Sequence, residues 1–253
     1  MEPGDQQVTR FHDKTEETRP MADPPQLTSE EIEALRRIDS ATIANAIEPF
    51  GVRPLTEGFM GMDIKCMFPE FGVMVGYAVT AKLDSQTEDA EPDKSVLWDV
   101  IKSIDASPKP AVLVFQDVGP RNSHSCHFGD GLANLAKRVG AIGLVTNGGV
   151  RDLSGVREIG FQFFAPGVTV SHGNYRYVSS GDPVEVSGVR VEAGNLIHAD
   201  ENGVVLIPSE IARDVISKAQ EIMDVEAETI SFYRGADFSM EGVARRLGVD
   251  PNS

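Results

Sequence analysis

Residues 127–152, HFGDGLANLAKRVGAIGLVTNGGVRD, contain the pattern that decides the fold class of this chain. Residues 129–140 are typical of a helix that a glycine stops, and the apolar run at 141–146 follows directly, as a buried strand would. A similar apolar run at 111–115 precedes them. Strand, helix and strand in this order form one βαβ unit, whose strands pair in parallel under a cover of helices. The chain is therefore predicted to have an α/β fold.

The flanking sequence extends this pattern in both directions. Thr28 and Glu31 form a capping box at the start of a helix, because each side chain can bond the backbone N–H of the other. Further helices are predicted at residues 41–49, 94–105 and 209–233, and strands at 71–83, 161–164, 168–170, 184–186, 196–199 and 204–207. We predict one α/β domain over residues 28–235, a flexible N-terminal arm of residues 1–27, and an amphipathic tail of residues 236–253.

Composition and charge narrow the classes of partner. The 253 residues include 39 acidic and 23 basic side chains, a net charge of −16. This argues against nucleic acid, which binds basic surfaces, and suits a protein that handles small molecules or metal ions. Two cysteines are too few for a disulfide framework, and no apolar run reaches the roughly 18 residues of a membrane helix. The first 27 residues lack a signal-peptide layout, so a cytoplasmic protein without membrane contact is expected.

Asp130 lies between Gly129 and Gly131 at a predicted helix start. Free N–H groups in a first helical turn form an anion site, and glycines let a ligand approach the backbone. In the plainer interpretation, Asp130 only caps the helix and the glycines only make the turn. The segment alone slightly favours that plainer interpretation.

Arg151 and Asp152 follow a buried strand and a glycine turn, so they are expected at a carboxyl edge of the sheet, where α/β proteins usually bind ligands. Arginine presents a planar fork to a carboxylate, and aspartate is a hard oxygen ligand for Mg²⁺ or Mn²⁺. For an isolated Arg–Asp pair, the plainer interpretation is a surface ion pair with Asp152 as a helix cap. Two loops would have to fold toward one crevice to bring Asp130 to this pair.

Twenty residues separate Asp130 from Arg151-Asp152, and this spacing resembles the Asp-x20-Arg-Asp motif of the RraA-like family. Within that family, the chain is most similar to the branch of the 4-hydroxy-4-methyl-2-oxoglutarate/4-carboxy-4-hydroxy-2-oxoadipate aldolases. The segments at 39–47, 129–152 and 191–208 also resemble the family, and the resemblance covers roughly residues 30–232. It implies a layered α/β/α fold of the swivelling βαβ type.

The resemblance also implies roles for individual residues. Asp152 would bind a divalent metal, Mg²⁺ in the first place and Mn²⁺ as the other option. Arg151 would bind the substrate carboxylate and stabilise the oxygen that becomes negative. Asp130 would position or deprotonate a water on the metal, and the N–H groups of Gly131 and Leu132 would hold the pyruvyl group.

The activity implied is that of a metal-dependent class II aldolase or decarboxylase. It would cleave a small 2-keto acid of the 4-hydroxy-4-methyl-2-oxoglutarate type, and decarboxylate oxaloacetate, through a pyruvate enolate. Relatives form trimers or dimers of trimers in which a neighbour's late helix contributes an acidic residue, for which Glu226 and Glu228 are candidates here. The alternative is a non-catalytic regulator that binds a protein partner, as in the ribonuclease-regulating branch; a lyase or hydratase acting on another polar acid is a third option.

Other candidates carry weaker signals. His124, Cys126 and His127 lie close together, but structural zinc needs four ligands, usually in paired spacings, so a loop without a metal of its own is favoured. His198 lies in an apolar strand and is interpreted as a core or interface histidine. Asn147, like Asn45 and Asn195, stands where many relatives carry aspartate, and these changes bear on substrate identity more than on the metal site.

Overall fold

The computed structural model describes residues 26–86 and 94–250. Its helices are α1 Ser29–Leu35, α2 Ser40–Ile47, α3 Lys94–Ala106, α4 Asp130–Arg138, α5 Leu153–Ile159, α6 Ala212–Arg234 and α7 Met240–Leu247. Its strands are β1 Lys65–Cys66, β2 Met74–Gln86, β3 Ala111–Asp117, β4 Cys126–Phe128, β5 Ala141–Thr146, β6 Gly149–Val150, β7 Gln162–Ala165, β8 Asn174–Ser180, β9 Val184–Val186, β10 Val189–Val191, β11 Leu196–Asp200 and β12 Gly203–Ile207.

A mixed sheet forms the centre of the described chain. Its strands run in the order β1-β7-β5-β3-β2-β11-β12, and β8 adds to β2. The predicted βαβ unit is confirmed, because β3 and β5 pair in parallel on either side of α4. The stretch before β1 bridges Phe59 to Val205 of β12, while β1 itself pairs with β7. One segment thus joins both ends of the sheet, which is nearly closed.

Side chains alternate along each strand, so the sheet has two packed surfaces. Helices α3, α4 and α5 cover one part of the first surface, and α1, α2 and α6 cover another part of it. The second surface is filled by the β9–β10 hairpin and by the chain before β1. Both helical groups therefore pack on the same surface of a curled mixed sheet, and the predicted α/β class is confirmed.

Most local predictions agree with the structure to within a few residues. The capping box of Thr28 and Glu31 is present, with both reciprocal bonds formed. The predicted strand at 168–170 is wrong: only a single bridge, from Val168 to Val150, forms there. Strand β8 and helix α5 were not predicted, because NYRYVSS does not alternate cleanly and LSGVREI is short and contains a glycine. The predicted arm lies almost wholly outside the described residues.

The tail contains a helix that folds back on the end of α6. Phe232 lies 5.8 Å from the ring of Phe238, and the Arg246 guanidinium lies 4.5 Å above the Phe232 ring. Large apolar side chains nevertheless stay exposed along α6 and α7, among them Val225 and Met240. That a neighbouring subunit covers these side chains stays a prediction. In the part of the chain that the structure describes, no helix is both long enough and apolar enough to cross a membrane.

Candidate active site

A two-stranded parallel sheet brings the two halves of the motif together. Strand β4 pairs with β6, and Phe128 stands opposite Val150. The Arg151 N–H donates to the Phe128 carbonyl at 3.1 Å, which extends the pairing by one residue. Because both strands run in the same direction, the residues that follow them emerge side by side. The loops that carry Asp130 and the Arg151–Asp152 pair therefore face one crevice.

The absence of a side chain at Gly129 leaves room for the Asp152 carboxylate beside the start of α4. A Cβ added to Gly129 would overlap Oδ2 of Asp152, so the Asp152 carboxylate would have to move away. Gly129 is the N-cap of α4, so the first N–H groups of that helix face the same crevice. The Asp130 N–H lies 3.4 Å from Oδ2 of Asp152. Asp130 is the first residue of the helix, and its side chain does not cap it.

Asp152 has an unusual backbone. Its φ of 58° and ψ of 36° lie in the left-handed region, which residues other than glycine adopt at an energetic cost. It stands at the N-cap of α5, yet its side chain makes no capping bond. Nε of Arg151 lies 3.4 Å from Oδ2 of Asp152, and the two side chains are 35% and 41% exposed. The plainer interpretation of Asp152 as a side-chain cap is therefore wrong; strain of this kind clusters at functional sites.

A cavity of 230 Å³ lies between these elements. We call it the motif cavity; its lining includes all five residues singled out from the sequence, namely Asp130, Gly131, Leu132, Arg151 and Asp152. Two carboxylates, one guanidinium and a helix N-terminus therefore surround one small space. This arrangement can bind an acid while holding a cation at its edge.

The carboxylates can be tested as metal ligands. Among residues 26–86 and 94–250, no three His, Cys, Asp or Glu side chains cluster closely enough to hold an ion by themselves. A zinc site with three or four protein ligands is therefore not built from these residues alone. Mg²⁺ is usually held by one or two carboxylates and keeps several waters. Asp152, with Asp130 beside it, fits that donor set.

A buried hydrogen-bonded pair, His127 and Asp117, lies at the motif cavity. Nε2 of His127 lies 2.9 Å from Oδ2 of Asp117, and both side chains are almost completely buried. Burial raises the pKa of the Asp117 carboxyl, but hydrogen bonds from His127, Gly119 and Ser85 have the larger opposite effect, so the net pKa is lowered. His127 also lines the motif cavity. The pair orders the loop that carries β4.

Asn147 ties together the ends of two neighbouring strands. Its Oδ1 accepts from the Asp117 N–H at 2.6 Å, and its Nδ2 donates to the Asp117 carbonyl at 3.0 Å. An aspartate at this position could accept the first bond but could not donate the second, which explains why asparagine stands here. Asn195 accepts from the Glu192 N–H in a turn, and Asn45 is exposed.

The other predicted residues lie elsewhere. His198 is buried, and its Nε2 lies 3.1 Å from the carbonyls of Leu35 and Ile38, which agrees with a core histidine. Cys126 is buried, and burial raises the pKa of its thiol. His124 is exposed beside Ser123. Glu226 and Glu228 are exposed on α6 and do not line the motif cavity.

Comparison with protein families matches residues 40–206 to the RraA-like family, described as Aldolase/RraA. The chain belongs to the RraA-like family. A similar solved structure is that of RraAS2 from Streptomyces coelicolor, described as an unusual member of the RNase ES inhibitor RraA protein family. It superposes with a TM-score of 0.67 and is 26% identical. The match covers 81% of this chain and 98% of the RraAS2 chain. An uncharacterized protein from Pseudomonas syringae shares the fold, with a TM-score of 0.70 and 21% identity over 91% and 99% of the two chains.

Two curated relatives of this RraA-like chain match it over only part of their length. Protein DlpA of Legionella pneumophila is 26% identical over 74% of this chain and 29% of its own. A protein of Halalkalibacterium halodurans, named "Putative 4-hydroxy-4-methyl-2-oxoglutarate aldolase", is 30% identical over 37% of this chain and 45% of its own. The chain thus spans less than half the length of either relative.

The sequence did not single out four residues at or beside the motif cavity: His127, His172 and Tyr175, which line it, and Asp117, which contacts His127. Asp117 ends a parallel strand beside the end of β5, and a polar residue at the end of a buried strand is a usable signal. The sequence offers His127 only as part of a soft-metal cluster with His124 and Cys126. His172 and Tyr175 lie in and beside a strand that the pattern did not reveal, so no sequence signal marked them.

Proposed function

We propose that this RraA-like chain is a divalent-metal-dependent carbon–carbon lyase that releases pyruvate from a small 2-keto acid. The observation that carries the proposal is the convergence of Asp130, Arg151, Asp152 and the α4 N-terminus around the motif cavity. A surface used only for protein contact has no need of a strained aspartate packed against a glycine. The substrates proposed are 4-hydroxy-4-methyl-2-oxoglutarate, for aldol cleavage, and oxaloacetate, for decarboxylation.

Both reactions leave an electron pair on the pyruvyl fragment, and this chain places positive groups where that charge develops. Arg151 binds the carboxylate with its fork and stabilises the adjacent oxygen as it becomes negative. The N–H groups of Gly131 and Leu132, in the first turn of α4, add donors that need no rearrangement. No Schiff-base lysine is required by this scheme.

Asp152 would hold a divalent cation, Mg²⁺ first and Mn²⁺ as the alternative. When bound, such an ion supplies Lewis-acid stabilisation of a 2-keto acid enolate. Asp130 takes the proton of the substrate hydroxyl, directly or through water, and holds it at its carboxylate. Gly155 faces Asp130, since a Cβ there would stand 3.0 Å from Oδ2 of Asp130, and this keeps the carboxylate close to the α5 backbone.

The assembly proposed is a homotrimer or a dimer of trimers. Apolar side chains exposed along α6 and α7 support an interface in that region. In such an assembly, Glu226 or Glu228 would reach the motif cavity of a neighbour.

Pyruvate release tests the proposed activity. Oxaloacetate and 4-hydroxy-4-methyl-2-oxoglutarate are each incubated with the protein in Mg²⁺, Mn²⁺ or EDTA, and pyruvate is measured through NADH oxidation by lactate dehydrogenase. We expect metal-dependent release that Asp152→Ala abolishes, with the circular-dichroism spectrum unchanged.

Two results would contradict these assignments. Full activity of Asp152→Ala would remove that residue from the metal site. A folded wild-type protein that releases no pyruvate from either acid under any metal condition would favour the alternative, a regulator that binds a protein partner. The description of the Streptomyces relative as an RNase ES inhibitor family member is what keeps that alternative open.

A further inference from the structure

A second cavity adjoins the motif cavity, and the proposed reaction on small acids does not account for it. It has a volume of 360 Å³, which is larger than the 230 Å³ of the motif cavity. Its lining includes Lys94, Leu97, Arg151, His172, Tyr175 and Tyr177. We call it the distal cavity.

The two cavities are neighbours, because they share part of their walls. Arg151, His172 and Tyr175 line both of them. A 2-keto acid whose carboxylate is held by Arg151 would therefore lie next to the distal cavity. The rings of strand β8 and the first turn of α3 form the walls of that cavity.

The chemistry of the distal cavity differs from that of the motif cavity. Its walls are mainly Leu97 and the tyrosine rings, and most of the surface that they expose is apolar. Among the described residues, no carboxylate lines it, whereas Asp130 and Asp152 line the motif cavity. Lys94, at the exposed start of α3, is a cation at its margin. Such a space favours an apolar group.

The aromatic walls are held in place by the core. Tyr177 is buried and packs edge-on against Phe115, with ring centroids 6.2 Å apart. Tyr175 packs edge-on against Tyr177 at 6.1 Å and against the His127 ring at 5.2 Å. Burial raises the pKa of the Tyr175 phenol, so it stays neutral. The wall is therefore fixed before any ligand arrives.

We infer that the distal cavity binds the part of the substrate beyond the bond that breaks, and that this part is an apolar, ring-sized group. An apolar cavity of about 150 Å³ can hold benzene, so the available volume is sufficient. The inference rests on the proposed function and deepens it. It names as substrates the 4-hydroxy-2-oxo acids with an aryl or branched alkyl group on C4.

The reaction on such a substrate balances without a further reactant. The C3–C4 bond breaks, and its electron pair stays on C3 as the enolate of pyruvate. The C4 hydroxyl loses its proton to the base and becomes the carbonyl of the released aldehyde or ketone. A proton added to C3 then completes pyruvate.

The test compares 4-hydroxy-4-phenyl-2-oxobutanoate, which would yield pyruvate and benzaldehyde, with oxaloacetate. Leu97→Trp fills the distal cavity, Leu97→Ala enlarges it, and Lys102→Trp places the same ring on the exposed face of α3 as a control. We expect the ratio of kcat/KM for the phenyl acid to that for oxaloacetate to fall at least tenfold in Leu97→Trp, about the value of one lost apolar pocket contact. In Leu97→Ala, which removes an apolar wall but leaves the space open, the ratio should fall by less than in Leu97→Trp. In Lys102→Trp, the ratio should stay close to that of the wild type.

Binding of the non-cleavable 4-phenyl-2-oxobutanoate, compared with pyruvate by calorimetry, gives a readout that does not depend on turnover. Tighter binding of the phenyl acid to the wild type, lost in Leu97→Trp, supports the subsite even if no pyruvate is released, in which case the proposed reaction alone fails. A wild type that decarboxylates oxaloacetate but neither binds nor cleaves the phenyl compound overturns the inference. So does an unchanged ratio in Leu97→Trp.

Discussion

Single residues in this chain combine chemical and conformational requirements. Asp152 carries a carboxylate into the motif cavity from a left-handed backbone, and Gly129 leaves the space that this carboxylate occupies. Arg151 reaches both cavities from the same loop. The chemistry of each residue could be inferred from its type, but the strain and the close packing depend on neighbours that are remote in sequence.

The fork of Arg151 gives the first prediction. We expect Arg151→Lys to raise KM and lower kcat, because an ammonium cannot make the two parallel bonds of a guanidinium. Loss of one charge-assisted hydrogen bond, about 1.5–3 kcal/mol, corresponds to a fall in kcat/KM of about 10- to 150-fold. Steady-state kinetics on oxaloacetate measure the change. Unchanged constants would show that Arg151 does not bind the substrate.

At the scale of elements, short segments position the site. The pairing of β4 with β6 covers only a few residues, yet it sets the start of α4 beside the loop before α5. Short strands of this kind lack enough residues to show a period, so the sequence pattern did not reveal them. The longer elements, such as the strand at Ala141–Thr146 and the helix from Lys94, were predicted closely because their apolar residues repeat over a longer stretch.

The turn before α4 gives the second prediction. Gly129→Ala keeps an ordinary extended backbone but drives a methyl group into the Asp152 carboxylate. We expect pyruvate release to fall at least tenfold, since an ångström of misplacement in a site can cost about 100-fold. Gly167→Ala is the matched control, because a Cβ there meets nothing within 4 Å. Equal activity of the two variants would mean that this packing does not position Asp152.

At the scale of the whole molecule, a buried histidine links stability to pH. His198 joins β11 to the chain between α1 and α2 through the Leu35 and Ile38 carbonyls. Burial lowers the pKa of His198, while those carbonyls and the charges of Asp200 and Asp39 oppose the shift. In the unfolded chain its pKa is about 6.5. The unfolded state therefore binds a proton first as the pH falls, and the free energy of unfolding decreases below about pH 6.5.

This gives the third prediction. Wild-type protein and His198→Gln, which keeps an N–H donor, are unfolded in urea at pH 7.5 and pH 5.5. We expect the variant to be less stable at pH 7.5 but to lose less stability on acidification. The difference in slope should be up to about 1.4 kcal/mol per pH unit, the linkage of one proton. Parallel slopes would contradict the role of His198.

The oligomeric state gives the fourth prediction. We expect light scattering to report about 82 kDa for a trimer, three times 27.4 kDa, or twice that mass for a dimer of trimers. Val225→Glu, on the exposed apolar face of α6, should lower the mass by placing a charge in the interface. Thr56→Glu, exposed in the segment between α2 and β1, adds the same single charge outside α6 and α7 and is the control. A wild-type monomer would contradict the proposed assembly.

The sequence by itself determined the α/β class, the parallel pairing of β3 with β5 and the residue types of the motif. It could do so because apolar residues recur with a characteristic period in amphipathic helices and form short runs in buried strands. The spacing of Asp130 from Arg151-Asp152 can likewise be counted along the chain. Only the tertiary structure decided that these residues meet at one cavity and that Arg151 opens onto a second. It also revealed the buried pair of His127 with Asp117. Such contacts depend on how side chains from distant segments fit together, and the periodicity of a local stretch of sequence does not determine that fit.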